Sequence, residues 1–319
     1  MDILVIGCGV SGLSTALCLL REGHHVRIWA RELPPHTTSN IAAAIWHPYK
    51  AYPPDKVTAW GKRAYEVFKT LMVDEDCGIF MTPLLEAFYT PQPDPWWVDA
   101  VENFRHARSD ELRPGYQDGY VFDAPVIDTR IYLDYLVQRF QKEGGQIEQR
   151  TLTGLEEAFA HCATVVNCSG LGARELVNDR DIHAARGQTV RIRHNGSRLA
   201  LLDEENPQQM AYVIPRIRDM ILGGTYEEYV ESTEVDEEET RAILNRCASV
   251  APELANLRPE DILSVQCGLR PVRSVVRLEA ERLAPDRLLL HNYGHGGAGI
   301  TLSWGCAEEV VALLRQHRS

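Results

Sequence analysis

Three glycines near the beginning of the chain have the type and spacing needed to bind a dinucleotide. Gly7, Gly9 and Gly12 form a Gly-x-Gly-x-x-Gly motif, and Gly7 closes the apolar run 2–7. The first glycine permits a tight turn, the second lets a pyrophosphate approach the backbone, and the third brings the next helix close to the strand. The N-terminus of that helix also offers unpaired N–H groups and the positive end of its dipole to phosphates.

Two charged residues follow the next apolar run. Arg31 and Glu32 come directly after segment 25–30, and Glu32 lies twenty residues beyond Gly12. A carboxylate at this place can accept hydrogen bonds from the adenosine ribose, whereas an arginine suits a 2′-phosphate. Either residue is therefore a candidate contact to the ribose, and NADP is an alternative ligand from this motif alone.

A second glycine-rich turn lies near the other end of the chain. The short apolar segment 288–291 leads into Gly294, Gly296, Gly297 and Gly299, and an amphipathic helix follows. Glycines let a flat or charged group approach the backbone, and the N-terminus of a helix stabilises negative charge. Two glycine turns so far apart along the chain suit a long ligand such as FAD better than NAD.

Arg270 is the side chain best placed to bind a substrate carboxylate. It precedes Pro271, and a guanidinium fixed at a strand end forms a rigid fork for a carboxylate. From composition alone, a solvated role on a strand is the more common one for Arg270, Arg273 and Arg277. Tyr212 is equally explained as an amphipathic residue of a sheet.

Polar residues beside both glycine turns have two interpretations each. The hydroxyls of Thr37, Thr38 and Ser39 can donate to phosphate oxygens, or they can cap a short helix. His291 and His295 lie beside the second turn, where acid–base chemistry is one interpretation. A histidine packed in a turn is the more common outcome, and we favour it here.

The elements that position these residues are those of an α/β protein. Apolar residues at helical spacing indicate helices, and short apolar runs indicate buried strands. Between residues 186 and 285 the pattern alternates, as in an antiparallel sheet. The predicted helices are 11–22, 130–143, 237–248 and one after residue 299, and the predicted strands are 2–7, 25–30, 146–150, 163–168, 188–193, 210–215, 219–223 and 288–291.

Composition excludes several classes of function. The chain has 319 residues and a formal net charge of −12, which argues against nucleic acid and anionic membrane surfaces as partners. No apolar run approaches the ~20 residues that span a bilayer. Its eight cysteines include no Cys-x-x-Cys pair, so we expect buried free thiols, no metal site and a cytoplasmic location.

The sequence resembles the D-amino acid oxidase family. The match covers blocks along the whole chain, in the order that the family has them. Besides the first glycine motif, these blocks are Ala42-Ala-Ala-Ile-Trp-His-Pro48, Val166-Asn-Cys-Ser-Gly170, Arg186-Gly-Gln188, Tyr212-Val-Ile-Pro215, Arg270-Pro-Val-Arg273 and the run from Leu289 to Ala307. Glycine and sarcosine oxidases share the nucleotide-binding end but are less similar in the last run.

The resemblance implies a fold and a division into domains. The fold is α/β, with a Rossmann-type FAD-binding domain made from discontinuous segments and a substrate domain built on a mixed or antiparallel sheet. Pro- and Trp-rich stretches indicate that the chain leaves the nucleotide-binding domain near residue 46. The FAD-binding domain is predicted to comprise 1–46, 130–185 and 286–319, and the substrate domain 47–129 and 186–285.

The resemblance also implies the roles of individual residues. Arg270 and the Tyr212 hydroxyl would bind the carboxylate of the amino acid, and the Gly297 carbonyl would accept from its amine. FAD would be bound by the two glycine motifs together with the segments between them. The residues predicted to contact it are Gly7, Gly9, Val10, Ser11, Gly12, Arg31, Glu32, Thr37, Thr38, Ser39, Ala43, Ala44, Ile45, Leu152, Ser169, Gly170, Gly294, Gly296, Gly297, Gly299, Ile300 and Thr301.

The implied reaction is oxidative deamination of a D-amino acid by oxygen, with hydride transfer to flavin N5. Its products are a 2-oxo acid, ammonia and hydrogen peroxide, and the resemblance is compatible with a homodimer. The alternatives are a D-aspartate oxidase that uses Arg216 or Arg273 for the second carboxylate, a glycine- or sarcosine-type oxidase, a dehydrogenase, and a non-catalytic flavoprotein. Gln208 stands where many members carry a lid tyrosine, which predicts an open site.

Overall fold

The computed structural model describes residues 1–206 and 208–317. Its strands form one sheet of fourteen strands, with helices packed against it. The strands are β1 (Asp2–Ile6), β2 (His25–Ala30), β3 (Ile79–Phe88), β4 (Glu102–His106), β5 (Asp118–Ile127), β6 (Gln146–Gln149), β7 (Thr164–Asn167), β8 (His183–Arg193), β9 (Ala200–Asp203), β10 (Ala211–Pro215), β11 (Asp219–Gly223), β12 (Glu227–Glu228), β13 (Ile262–Ala284) and β14 (Arg287–His295).

The helices lie between these strands along the chain. The α-helices are α1 (Val10–Arg21), α2 (Thr38–Ile41), α3 (Pro54–Leu71), α4 (Thr129–Lys142), α5 (Leu155–Phe159), α6 (Ala173–Leu176), α7 (Glu237–Val250) and α8 (Gly299–Gln316). In the part of the chain that the structure describes, none of these helices combines the length and the apolar character needed to cross a membrane.

Five strands form the parallel part of the sheet, in the order β14-β7-β1-β2-β6. Parallel neighbours need crossover connections, and α1 supplies the one between β1 and β2. The carboxyl ends of these strands meet at one edge of the sheet, which is where ligands bind in open α/β sheets. This half confirms the predicted α/β class, and the strand bounds agree with the sequence patterns to within a few residues.

The other half of the sheet is mixed. β8, β10, β11 and β13 pair antiparallel, as the alternating patterns predict, whereas β3 and β9 pair parallel. The two halves are continuous because the long strand β13 pairs with β8 on one side and with β14 on the other. Its pairing with β14 shifts register between Val272 and Arg277. The exact domain bounds given above stay a prediction.

The helix α3 has no counterpart among the predicted elements. Pro54 occupies its first turn, where a missing N–H costs nothing, and Asp55 stabilises the positive end of the helix dipole. Its buried face includes Val57, Trp60 and Phe68, and it packs against α8. The Pro-rich stretch that marks the exit from the nucleotide-binding part therefore begins a helix.

Candidate active site

A cavity of about 720 Å³ lies at the carboxyl edge of the parallel strands and extends to the mixed half of the sheet. It brings together nearly all of the residues that the sequence analysis predicted to be functional. Those that line it are Gly7, Gly9, Val10, Ser11, Arg31, Glu32, Thr37, Thr38, Ser39, Ala43, Ala44, Ile45, Leu152, Ser169, Gly170, Tyr212, Arg270, Gly296, Gly297, Gly299, Ile300 and Thr301.

The first glycine motif shapes the part of the cavity next to α1. A Cβ on Gly7, whose φ is +109°, would overlap the carbonyl oxygen of Cys168, and a Cβ on Gly12 would overlap that of Gly7. Gly12 does not line the cavity, and its lack of a side chain lets α1 lie close to β1. The contact of Gly12 with the cofactor stays a prediction, while its predicted packing role agrees with the structure.

The N-terminus of α1 faces the cavity. No side chain caps this helix through its N-cap residue Gly9, and the Val10 N–H donates to the Ser39 hydroxyl over 3.0 Å. Backbone N–H groups at a helix N-terminus form an anion site. The residues present here fit the pyrophosphate of a dinucleotide, because Gly9 has no side chain and a Cβ there would lie 3.0 Å from Ser39 Oγ.

The hydroxyl-rich turn has the capping role proposed for it, and its donation to phosphate oxygens stays a prediction. Thr37 caps α2, and its hydroxyl donates to the Asn40 side chain over 2.7 Å. Thr37, Thr38 and Ser39 also line the cavity beside α1. The cap fixes the conformation of this turn. The turn therefore holds the Ser39 hydroxyl beside the first residues of α1, where it accepts from the Val10 N–H.

Arg31 and Glu32 follow β2 and line the cavity. Arg31 Nε lies 3.6 Å from Glu32 Oε1, and both side chains are largely exposed, so either can contact a ribose. Leu152 follows β6, the neighbour of β2, and lines the cavity together with Ser169 and Gly170. This part of the cavity fits an adenosine.

The segment that follows α2 is held rigidly at the other end. The Trp46 side chain is fully buried and donates to the Gly61 carbonyl over 2.9 Å. Ala44 has a φ of +62°, and Ile45 bridges to Val126 on β5. Ala43, Ala44 and Ile45 therefore form a fixed wall of the cavity, and their contact with FAD stays a prediction.

The second glycine turn joins β14 to α8. Gly297 packs on Tyr49, and a Cβ at this glycine would lie 2.7 Å from Tyr49 Cδ1. Gly294 does not line the cavity, because a Cβ on it would face the Arg273 side chain at 2.9 Å. Its φ of +82° shows why a glycine is required, and its contact with the cofactor stays a prediction.

Arg270 and Tyr212 lie together at the end of the cavity away from Arg31. The Arg270 guanidinium lies over Gly187 of β8 and donates to the Thr225 carbonyl over 3.0 Å. The Tyr212 ring covers Gly223 of β11. Among the residues that the structure describes, Arg270 has no carboxylate partner within salt-bridge distance.

Burial and charge set the protonation state of this pair. Burial raises the pKa of Tyr212, and the nearby Arg270 opposes that effect only in part. Tyr212 is therefore a neutral hydroxyl donor at physiological pH. A fixed guanidinium and a phenol that both face a cavity form a receptor for a carboxylate.

The other candidate arginines are already paired. Arg216 is buried and donates to Asp219 over 2.8 Å, and Arg273 donates to Asp179 over 3.0 Å. Arg277 donates to the Tyr293 hydroxyl over 2.8 Å. None of these three arginines lines the cavity, in agreement with a structural role.

The two histidines beside the second glycine turn are packed. His291 is fully buried and lies 3.3 Å from a Glu281 oxygen. His295 lines the cavity, but burial lowers its pKa to about 4. It is therefore neutral at pH 7 and offers no acid, as the sequence interpretation favoured.

The sequence analysis missed a charged group in the cavity wall, formed by His47, Glu86 and Glu204, which we call the His47 cluster. His47 Nδ1 lies 3.4 Å from Glu204 Oε1, and His47 Nε2 lies 3.3 Å from Glu86 Oε2. Burial opposes a charge on His47, but both carboxylates outweigh it and raise its pKa to about 9. No spacing in the sequence relates these residues, because they come from three separate segments.

The His47 cluster has the residue types of a metal site, and the three ligand atoms lie within 4.8 Å of one another. An imidazolium has no lone pair for a metal ion, and the raised pKa keeps His47 in that form at pH 7. The cluster is therefore an ion triad in which the histidine bridges two carboxylates. The absence of a metal site stays a prediction.

Several other cavity residues were not singled out beforehand. They share no motif and reach the cavity through the tertiary fold alone. They include Tyr49, Arg150, Thr151, Glu175, Gly187, Thr189, Met210, Ile214, Asn292 and Tyr293.

Comparison with known proteins decides what the long cavity holds. A family model described as "FAD dependent oxidoreductase" matches residues 2–313. The chain belongs to this family. Its cofactor is FAD, so the alternative of NADP is excluded, and the long cavity that both glycine turns line suits this ligand.

Individual members of this FAD-dependent family are similar in sequence to the protein over nearly its whole length. A D-amino-acid oxidase from Rubrobacter xylanophilus is 47% identical over 97% of this chain and 94% of its own. A D-aspartate oxidase from Homo sapiens is 33% identical over 98% of this chain and 94% of its own. The crystal structure of a glycine oxidase from Bacillus cereus superposes with a TM-score of 0.79, covers 100% of this chain and 96% of its own, and is 18% identical, which shows the shared fold.

Proposed function

We propose that this protein oxidises D-amino acids with FAD and oxygen to 2-oxo acids, ammonia and hydrogen peroxide. The observation that carries the proposal is the pair Arg270 and Tyr212, which faces the cavity without a carboxylate partner among the described residues. The similarity to a D-amino-acid oxidase over nearly the whole chain supports the same activity.

The chain itself positions the substrate. Arg270 and Tyr212 bind the carboxylate, and the carbonyl of Gly297 accepts a hydrogen bond from the amine, so three contacts fix the α-carbon. FAD supplies the acceptor for the substrate hydride and, once reduced, the reductant for oxygen. Most of the rate enhancement then comes from orientation of the substrate rather than from acid–base groups.

The protonation states agree with such a mechanism. His295 is the histidine beside the second glycine turn that lines the cavity, and it is neutral at pH 7. Tyr212 is a donor and not a base, because burial raises its pKa. The substrate must therefore reach the site as a neutral amine, or lose its proton to water.

A D-aspartate oxidase is the nearest alternative. It requires a second arginine that is free to bind the side-chain carboxylate of the substrate. Arg216 and Arg273 were its candidates for the second carboxylate, and both are paired with aspartates outside the cavity. The His47 cluster also places carboxylates in the cavity wall, which repel an acidic side chain. Two further alternatives are a glycine- or sarcosine-type oxidase and a dehydrogenase. The preferred substrate distinguishes the first from our proposal, and the electron acceptor distinguishes the second.

The test is an anaerobic titration of the purified holoenzyme with paired D- and L-alanine. We expect D-alanine to bleach the 450 nm flavin band and L-alanine to leave it unchanged, because the fixed carboxylate site presents one α-hydrogen to the flavin. Readmission of air should restore the band and release one hydrogen peroxide per substrate. Sarcosine or glycine as the better reductant, or reoxidation only by an artificial dye, would establish one of the alternatives instead.

We extend the proposal to location and assembly. A cytoplasmic location follows from the cysteine usage of the sequence, and the eight cysteines are buried and free. A homodimer is the assembly that we propose. Both are checked by fractionation of cells and by light scattering of the purified protein.

A further inference from the structure

The side-chain end of the cavity contains a carboxylate that the oxidation reaction does not need. Glu204 lies just after β9, lines the cavity, and keeps 30% of its side chain exposed. The neighbouring cavity residues Met210, Tyr212 and Ile214 come from β10 and the segment before it. An acidic group therefore stands beside the residues that hold the substrate.

The His47 cluster carries more negative than positive charge when its acids are ionised. His47 supplies one positive charge, while Glu86 and Glu204 supply two negative charges. Glu86 is 7% exposed and is covered by His47. Glu204 is the outer member, and its exposed fraction opens on the cavity.

The cavity thus has opposite charges on its walls. Arg270 is the cation that faces one part of it, and Glu204 is the anion that faces another. Tyr49 lies in the field of both, since burial raises its pKa, Glu204 raises it further and Arg270 lowers it. A zwitterion that carries an additional positive charge on its side chain complements this arrangement.

We propose that Glu204 binds the cationic side chain of the substrate, so that D-lysine, D-ornithine and D-arginine are the preferred class of D-amino acid. This inference rests on the proposed function and adds the substrate class. Charge-assisted hydrogen bonds from an ammonium or guanidinium to a partly buried carboxylate are stronger than bonds between neutral groups. The same carboxylate excludes D-aspartate and D-glutamate by repulsion.

Glu204 already has one cationic partner, because His47 Nδ1 lies 3.4 Å from its Oε1. Burial raises its pKa to about 7, and His47 lowers it while Glu86 and Glu205 raise it, so the carboxylate lacks full compensation. Lys50 also acts on it, but Lys50 is exposed and its ammonium lies 3.7 Å over the Tyr226 ring. A bound cation would therefore stabilise the ionised form of Glu204.

The decisive experiment compares D-lysine with D-norleucine, which has the same four-carbon side chain without the ammonium group. In the wild-type holoenzyme we expect kcat/KM for D-lysine to exceed that for D-norleucine by about tenfold, since one charge-assisted hydrogen bond contributes that factor. D-Glutamate should be poorer than both. Glu204→Gln should reduce the ratio of D-lysine to D-norleucine about tenfold.

The matched control is Glu205→Gln, which removes the same charge from the adjacent residue, whose side chain does not line the cavity. Its ratio should stay within about twofold of the wild-type ratio. A wild-type enzyme that prefers D-norleucine, or a ratio that Glu204→Gln leaves unchanged, overturns the inference while leaving D-amino acid oxidation intact. If Glu204→Gln loses its flavin, the wild-type ratio decides alone, and a ratio near one is the negative result.

Failure of the proposed function has a different signature. In that case no D-amino acid, cationic or neutral, reduces the flavin of the wild-type protein. Reduction by D-norleucine or D-alanine without any preference for D-lysine separates the two outcomes.

Discussion

Among single residues, the position of the Arg270 guanidinium depends on the lack of a side chain at Gly187. The guanidinium lies where a Cβ on Gly187 would be, and Gly187 pairs with Gly268 in the adjacent strands. Tyr212 depends in the same way on Gly223. The missing side chains of these two glycines thus determine where the carboxylate receptor lies.

We expect Gly187→Ala to displace the Arg270 guanidinium. The KM for D-amino acids should rise by about tenfold to a hundredfold because a charge-assisted contact is lost or lengthened. The flavin spectrum should remain, since Gly187 lies in a strand away from the glycine motifs. Steady-state kinetics on the flavin-loaded variant measures the effect.

Gly154→Ala is the matched control, because a Cβ on Gly154 meets nothing within 4 Å and the backbone there is extended with a φ of 177°. Its KM should equal that of the wild type. Equal KM values in both variants would show that the guanidinium does not lie over Gly187 in solution.

The types of individual residues in the sequence predicted part of the candidate active site. Arg270 and Tyr212 were found because an arginine before a proline and a tyrosine at a strand start matched a known pattern. Glu204 was not found, because an acid in a Glu-Glu loop is ordinarily a solvated residue. Only its placement against His47 gives it chemical meaning.

Among the elements, the junction of β1 and α1 is the one on which cofactor binding depends. Gly12 does not line the cavity, yet a Cβ there would overlap the Gly7 carbonyl oxygen. That atom belongs to the backbone, so it cannot move aside as a flexible side chain can. Any larger residue must push α1 away from the sheet.

Gly12→Ala should therefore weaken FAD binding and destabilise the protein together. We expect the dissociation constant of FAD to rise at least about tenfold, because the N–H groups of α1 retreat from the pyrophosphate. Overpacking of this kind costs about 1–3 kcal/mol of folding free energy. Flavin release on dilution and thermal unfolding of the apoprotein are the two measurements.

Gly154→Ala serves again as the control, since Gly154 lies outside α1 and a Cβ on it meets no atom within 4 Å. A Gly12→Ala protein that retains FAD as firmly as this control would mean that α1 does not pack so closely on β1.

At the scale of the whole molecule, the His47 cluster couples stability to pH. Its members come from β3, from the segment after α2 and from the segment after β9, so only the folded chain assembles them. The pKa of His47 is raised to about 9 and that of Glu204 to about 7. Both groups therefore bind protons more tightly in the folded state than in the unfolded one.

The sign of the effect follows from linkage. A histidine with a raised pKa stabilises the fold fully below its unfolded value, about 6.5, and loses that contribution as the pH rises through 9. The raised pKa of Glu204 acts in the same direction around pH 7. We expect the free energy of unfolding to fall by on the order of 2 kcal/mol between pH 6.5 and 9.5 from this cluster.

His47→Gln should flatten that decline. Denaturant titrations of the flavin-saturated protein at several pH values give the slope, and His25→Gln is a control because the His25 side chain is 88% exposed. A slope that is the same in all three proteins would show that His47 does not bridge two carboxylates.

The sequence alone determined the class of the fold, the glycine turns and the family resemblance. These features depend on local spacing: glycines at fixed offsets, apolar runs of strand length and helical periodicity act over a few residues each. The parallel half of the sheet and α1, α4, α7 and α8 were therefore predicted to within a few residues. Arg270 and Tyr212 were predicted because each lies in such a local block.

Tertiary structure alone decided the rest. It joined the two halves of the sheet through β13, and it paired Arg216 and Arg273 with aspartates. It also placed Glu204 against His47, some 157 positions earlier in the chain. Charge and burial at a site depend on which distant segments fold together, and no local spacing records that.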